Sequence, residues 1–510
     1  MLKFLKSKIF WSFIITPLLS IYLIFFSDLV PENPLIAKTL GIAILMASWW
    51  ISEAVPLAIT AIIPVAAFPL LGIMNGKDVS STYFNHIIFL FIGGFLMALA
   101  MEKWELHKRI ALKILLLIGG GPARILFGFM FATAFLSMWI SNTATAMMMV
   151  PIVLSVLIKL EEKLDKKDAA NYSLALLLGV AYSASIGGIA TLVGTPPNLS
   201  FARIFAIIFP EAPEISFSDW FTFALPLSII LFIFIFGWLY FLFHPKNKDV
   251  EFDDKIFKQE YKALGKASFE EKIIFILFII LAFLWVSRSG ISIGNFNIIG
   301  WDHFFPNKSY INDGTVAIFV AIALFIIPSK NKKGEKLLDQ KIIPKLPWHI
   351  VLLFGGGFAL AGGFIHSGLS LWIGKQLIFL DQYPPLLILF GVALIMSVLT
   401  ELTSNTATTE MFLPILAGIA VSIKVNPLLL MLPATFAASL AFMLPVATPP
   451  NAIVFGTNRI SVMQMIKAGF VLNIVAVILL SLFVFYYGQI VFNIDINQIP
   501  DWALQITKPK

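Results

Sequence analysis

The chain has 510 residues, 59% hydrophobic and only 13% charged, with a mean hydropathy of +0.91. Soluble domains are about a quarter charged, so this composition excludes an ordinary soluble domain and places the chain in a bilayer. The formal charge of +7 is accounted for by basic loops on one membrane face, so no nucleic-acid partner is expected, and the absence of cysteine removes disulfides, thiolate chemistry and Cys-ligated metals.

Apolar runs of about 20 residues, each able to cross roughly 30 Å of hydrocarbon as a helix, predict spans in chain order. They fall near 9–27, 35–52, 54–74, 84–101, 171–208 (broken), 218–243, 271–288, 313–329, 347–366, 427–455 (broken) and 466–492. No convincing cleavage site follows the first run, which reads as a retained span. Trp49, Trp50, Trp104 and Trp348 sit where interfacial anchors are expected. Residues 102–117 predict an amphipathic helix lying on the cytoplasmic face, with a counterpart at 368–380 on the outer face. Segments 123–160 and 384–423 each have a Ser-Asn-Thr phrase at the midpoint between two short arms. Their polar tips favour re-entrant hairpins that line a cavity. Residues 246–272 read as a charged loop. The expected class is an all-α polytopic membrane protein with about 11 transmembrane helices and two re-entrant hairpins.

The phrases repeat. Ser141-Asn142-Thr143-Ala144-Thr145 returns 263 residues later as Ser404-Asn405-Thr406-Ala407-Thr408, and the same spacing carries Gly93-Gly94-Phe95 onto Gly356-Gly357-Phe358 and Pro151 onto Pro414. Thr195-Pro196-Pro197-Asn198 returns 253 residues later as Thr448-Pro449-Pro450-Asn451, the slip matching a longer charged loop in the first copy. With the N-terminus inside, 27 of the 36 Lys and Arg fall on cytoplasmic segments. The first hairpin is then entered from inside and the second from outside. The repeats are inverted, the symmetry of many secondary transporters, with a cytoplasmic N-terminus and an external C-terminus.

Ser, Asn and Thr cap helix starts because their oxygens accept orphan amide hydrogens, and proline suits the first turn. Four such starts would turn their positive ends toward the membrane centre, a receptor for an anion. Broken helices also free backbone carbonyls, and hard cations want oxygen ligands. Ser137, Ser141 and Asn142 with Gly194, and Thr400, Ser404 and Asn405 with Ala447, could supply two cation sites. No Lys or Arg lies in any of the four phrases, so co-bound cations are the natural neutralisers of a bound anion. Back-bonding hydroxyls and proline kinks would explain one phrase; four in inverted register need more. Among acidic residues at apolar depth, Glu53 reads as functional or as an interfacial cap. Glu401 reads as holding its hairpin by hydrogen bonds, and Glu410 breaks the match with Met147. A proton relay through either is the alternative. His86 and His349 read as interfacial structure, and Arg203 as balancing a substrate or pairing with a carbonyl. Nothing matches HExxH, a paired aspartate motif or a nucleophile-base pair, so no enzyme is expected.

At SMWISNTAT (137–145), GTPPN (194–198), both SNTAT phrases and ATPPNAIVFG (447–456), the chain resembles the divalent anion/sodium symporter family, which includes bacterial dicarboxylate carriers and mammalian sodium-coupled dicarboxylate and citrate cotransporters. The match runs from about Trp49 to Arg459. The resemblance implies an elevator-type homodimer in the plasma (inner) membrane. Residues 1–122 and 244–383 would form the scaffold, 123–243 and 384–492 the two halves of the transport domain, and 493–510 an external tail. It implies substrate contacts from Asn142, Thr143, Ser404, Asn405, Thr406, Thr448 and Pro449. One sodium site would use Ser137, Ser141, Asn142 and Gly194, the other Thr400, Asn405 and Ala447. The implied activity is sodium-coupled symport of C4-dicarboxylates (succinate, malate, fumarate), with sodium as coupling ion and no cofactor. A sodium-independent exchanger and a citrate or sulfate carrier are the alternatives. Phe442 and Met443 stand where side pockets could tune substrate size.

Overall fold

The structure, a computed structural model, describes residues 10–161, 164–245, 255–293, 296–496 and 498–504. The N-terminal lysines Lys3, Lys6 and Lys8, residues 246–254 of the charged loop and the last six residues of the tail lie outside them. Among the described residues seven helices are long and apolar enough to cross a membrane, and further apolar helices are shorter.

The N-terminal part holds α1 (Thr16–Phe25), α2 (Pro34–Ser52), α3 (Ile63–Leu71), α4 (His86–Lys103) and α5 (Leu106–Ile118). The first hairpin is α6 (Pro122–Ser137) and α7 (Asn142–Glu161). The first broken span is α8 (Lys166–Ile189) and α9 (Pro196–Ile208), followed by α10 (Phe217–Phe243). Next come α11 (Lys255–Ala263), α12 (Phe269–Ser287), α13 (Asp313–Ile326), α14 (Trp348–Ser367) and α15 (Leu369–Gln376). The second hairpin is α16 (Pro385–Thr400) and α17 (Asn405–Ser422), the second broken span α18 (Leu428–Ala437) and α19 (Pro449–Phe455), and α20 (Val462–Val491) closes the set. The span expected at 54–74 is interrupted: a turn at Leu57–Thr60 precedes α3, which carries Pro64 and Pro69.

The two units pack by the same rule. In each, the broken span's first half lies against both hairpin arms and the helix that follows: α8 on α6, α7 and α10, and α18 on α16, α17 and α20. The second halves cross over, α9 onto α17 and α19 onto α7. α8 is buried throughout from Tyr172 to Ile189, so this part forms the centre of the molecule. Small residues permit this closeness, as expected where no hydrophobic effect drives helices together. A Cβ on Gly93 would lie 2.5 Å from the Ala317 Cβ, and one on the repeat-equivalent Gly356 would collide with the Ala61 carbonyl. A separate apolar cluster, including Ile42, Met46, Trp50, Phe68, Leu360 and Phe364, joins α2, α3 and α14. Trp50 is fully buried there, so it is core and not the interfacial anchor its position predicts.

The all-α expectation needs one correction. Gly290–Ile293 (β1) and Phe296–Ile299 (β2) pair antiparallel, with Gly290 opposite Ile299. The Ile-Ser-Ile and Phe-Asn-Ile-Ile text alternates with the period of a strand. Beside it, Arg288 is 3% exposed and grips Asp313 (Nε to Oδ1, 2.5 Å), Glu214 (Nη2 to Oε1, 3.1 Å) and the Ile311 carbonyl (3.0 Å). Asp313 Oδ2 also accepts from the Phe217 amide at 2.8 Å. One ion pair thereby fixes the starts of α10 and α13 to the end of α12.

The predicted interfacial helix is a separate element because the chain breaks at Glu105, whose φ of 55° is left-handed. Its repeat-equivalent is Gly368, with φ 77°. The geometry is the same, but only glycine adopts it without steric penalty. Glu105→Gly is therefore expected to stabilise the protein by about 1 kcal/mol, raising the melting temperature of the detergent-solubilised protein by about 1–2 °C.

Candidate substrate and ion site

Each hairpin tip is tied to its own broken span by one hydroxyl. Ser137 Oγ lies 2.6 Å from Asn142 Oδ1 and 2.7 Å from the Ala184 carbonyl. Thr400 Oγ1 lies 2.6 Å from Asn405 Oδ1 and 2.6 Å from the Ala438 carbonyl. A hydroxyl and an asparagine oxygen expected for each cation site are thus brought together twice, but the carbonyls bonded beside them are those of Ala184 and Ala438, not of Gly194 and Ala447. Gly188 completes the first group, since its Cβ would fall 2.5 Å from Asn142 Oδ1. Gly194 reaches the group through Gly188, because a Cβ at 194 would stand 2.5 Å from the Gly188 carbonyl. Ser141 does something else: its Oγ accepts from the Ala144 amide at 3.2 Å, capping α7. Ala447 lies buried in the unwound stretch between α18 and α19.

The unwound stretches are stapled by asparagines from the TPPN phrases. Asn198 Nδ2 donates to the carbonyls of Gly188 (3.2 Å) and Thr191 (2.7 Å). Asn451 Nδ2 donates to those of Ala441 (3.1 Å) and Leu444 (3.1 Å), the positions 253 residues on. Both side chains are fully buried, and both Oδ1 atoms lack a partner among the described residues.

A second tie joins tip to stretch, with its chemistry inverted between repeats. Thr191 Oγ1 donates to the Met138 carbonyl at 2.5 Å. At the equivalent pair the side chain comes from the tip: Glu401 accepts from the amides of Phe442 (2.8 Å), Met443 (2.9 Å) and Leu444 (2.9 Å) and from Asn473 Nδ2 (2.7 Å). Glu401 therefore holds the hairpin, as its position predicts. Tyr182 of α8 links the two units by donating to the Phe442 carbonyl at 2.7 Å.

Four helix starts are present, but only two have side-chain caps. Ser141 caps α7, and Thr448 Oγ1 accepts from the Asn451 amide at 3.3 Å. Thr195 and Ser404 occupy the cap position without a side-chain bond. Pro196 and Pro449 open α9 and α19 as expected. The hydroxyls of Thr143, Thr195, Ser404 and Thr406 donate to no acceptor among the described residues, and neither do the amide groups of Asn142 and Asn405. These are the donors an oxyanion needs, and no cationic side chain stands among them. Arg203, about two turns along α9, keeps an unpartnered buried Nε. Glu410 is fully buried on α17, with Oε1 accepting from Ser200 Oγ at 2.9 Å, Oε2 unpartnered among the described residues and Gly357 pressed against it. Glu53 is exposed and ends α2 in a left-handed conformation, a helix cap.

Residues 6–494 match the family described as "Sodium:sulfate symporter transmembrane region". The chain is 41% identical over 466 residues to the sodium-dependent dicarboxylate transporter SdcS of Staphylococcus saprophyticus, covering 90% of this chain and 87% of that protein. It is 42% identical over 467 residues to SdcS of Staphylococcus aureus strain NCTC 8325, with the same coverage. Among solved structures, MtrF of Neisseria gonorrhoeae, from a class of antimetabolite efflux pumps, superposes with a TM-score of 0.55 at 12% identity, over 94% of this chain and 98% of that one. The YdaH transporter of Alcanivorax borkumensis gives 0.53 at 13% identity, over 83% and 88%. At such identities these two likenesses concern the fold alone.

The Glu401 geometry generates a prediction. Glu401→Ala strands three backbone amides and one side-chain amide, at about 1–3 kcal/mol for each buried donor left unpaired. The variant is expected to melt on the order of 5 °C or more below the parent in detergent, measured by thermal unfolding.

Proposed function

The chain belongs to the sodium:sulfate symporter family, and we propose that it is a sodium-coupled symporter of C4-dicarboxylates such as succinate, malate and fumarate. The twice-built hydroxyl–asparagine pair carries this reading: Ser137 with Asn142 and Thr400 with Asn405 supply hard oxygens at two equivalent points. The names of the SdcS relatives support both the sodium dependence and the substrate class.

In this mechanism sodium sits against Asn142 Oδ1, Ser137 and the Gly188–Gly194 backbone, and a second ion against Asn405 Oδ1, Thr400 and the stretch containing Ala447. A dicarboxylate carries two negative charges into a region whose phrases hold no Lys or Arg. The free amide groups of Asn142 and Asn405 and the hydroxyls of Thr143, Ser404 and Thr406 donate to its oxygens, which also lie against the α19 start at Thr448 and Pro449. The ions offset its charge and stiffen the tips that donate to it. Each ligand therefore raises the affinity for the other, which is the thermodynamic content of coupling. The proposal includes transport-domain halves at 123–243 and 384–492, about 11 spans, an elevator movement against the remaining scaffold, a homodimer, and a plasma-membrane location with the N-terminus inside.

Labelled succinate uptake into proteoliposomes holding the purified protein tests this directly. Uptake is expected to need an inward sodium gradient, to fail with matched potassium, and to be competed by malate and fumarate. Uptake that ignores sodium and needs internal dicarboxylate would make the protein an exchanger and sink the symport reading. No succinate uptake in either arm would redirect the assay to citrate and sulfate.

Two variants sharpen it. Asn142→Ala and Asn405→Ala are each expected to reduce uptake at least about 100-fold, the loss of about 3 kcal/mol expected when a pre-aimed polar partner is removed, while leaving expression unchanged. Gly188→Ala pushes a methyl into Asn142 Oδ1 and is expected to raise the half-saturating sodium concentration roughly tenfold. Unaltered sodium dependence there would remove Gly188 from the site.

A further inference from the structure

A cavity unrelated to the hairpin tips lies where α5, α6 and α12 meet. It measures about 490 Å³, within the roughly 300–1,000 Å³ of small-molecule sites. Its walls are long apolar side chains, including Leu117 (77% exposed), Phe131 (42%) and Phe275 (44%). Three cations and one carboxyl group also line it: Arg109, Lys113, Lys272 and Glu271.

These charges are not equivalent. Arg109 is consumed internally, with Nε 2.6 Å from Glu271 Oε1 and Nη1 and Nη2 on the carbonyls of Gly265 (3.0 Å) and Leu264 (3.2 Å). Glu271 is doubly engaged, since its Oε2 also accepts from the Ser268 amide at 2.6 Å in the cap of α12. Lys113 and Lys272 stand exposed, one on α5 and one in the first turn of α12, and neither forms an ion pair among the described residues. Two unpaired lysines from different helices therefore edge an apolar slot beside an amphipathic helix.

A soluble anion has no use for the apolar wall, and a neutral lipid has none for the lysines. We propose that this cavity binds a phospholipid of net negative headgroup, its phosphate held between Lys113 and Lys272 and an acyl chain along Leu117, Phe131 and Phe275. Basic pockets between membrane helices recognise anionic headgroups by this combination. The bound lipid lies against Phe131 of the first hairpin arm on one side and against α12 on the other, so it fills the joint between α5–α6 and the neighbouring span.

Native mass spectrometry of the purified full chain in detergent, titrated with phosphatidylglycerol or phosphatidylcholine of identical chains, reads this directly. Each lysine near an anionic headgroup is worth about fivefold, so with two of them the parent is expected to prefer phosphatidylglycerol about 25-fold. In Lys113→Gln/Lys272→Gln the two lipids are expected to bind within twofold of one another. Should the double variant not purify, either single substitution should lower the preference to about a fifth. Equal binding of both lipids by the parent, or an unchanged preference in the variants, overturns the proposal. Displacement of phosphatidylglycerol by equimolar glycerol 1-phosphate overturns it too, since the headgroup alone would then suffice.

Discussion

Everything in this molecule depends on satisfying the backbone of two stretches that are not helical inside an apolar protein. An unpaired peptide group in hydrocarbon costs several kcal/mol, and each break between α8 and α9 or α18 and α19 exposes several. Asn198 and Asn451 carry much of that burden, each amide binding two carbonyls of its own loop. Once those carbonyls are held, the loops become rigid walls against which Ser137–Asn142 and Thr400–Asn405 can be positioned. The site is a consequence of solving a solvation problem twice.

The two solutions are related but not identical. Positions 138 and 191 correspond to 401 and 444, and they are joined in both copies. In the first a threonine hydroxyl meets a tip carbonyl, while in the second a tip carboxyl gathers three loop amides. Met147 and Glu410 diverge further: Met147 is 61% exposed and Glu410 fully buried against Gly357. Inverted repeats share a fold but enter different surroundings, so equivalent positions are free to change chemistry where only one of them meets a neighbouring helix.

Much of this was legible in the sequence because it is carried by residue identity at fixed spacing. The hairpins, the broken spans, the proline-led starts and the grouping of Ser137 with Asn142 follow from period, caps and repetition. Glu401 was readable as a hairpin holder, though not its choice of the 442–444 amides, which the loop's path decides. Gly188 was invisible because its role is a missing Cβ opposite Asn142, and a glycine among many gives no local signal. The role of Asn198 and Asn451 was masked by the prolines before them, which draw attention to the cap. The β1–β2 pair carries a period-two signal at 290–299, too short to stand out between strong helical runs. The left-handed corner was readable at Gly368 and hidden at Glu105, where the residue type argues against the geometry it adopts.

The Ser137 hydroxyl has one hydrogen and two acceptors within reach, Asn142 Oδ1 and the Ala184 carbonyl; Thr400 faces the same choice between Asn405 Oδ1 and Ala438. A hydroxyl hydrogen rotates freely to suit its surroundings. In the proposed mechanism a cation arriving at the asparagine oxygen would need only to turn that hydrogen toward the carbonyl, and no acceptor would be stranded. Under that proposal ion entry would be an exchange of a proton's orientation for a metal contact, with a reorganisation penalty set by the rotation of one O–H bond.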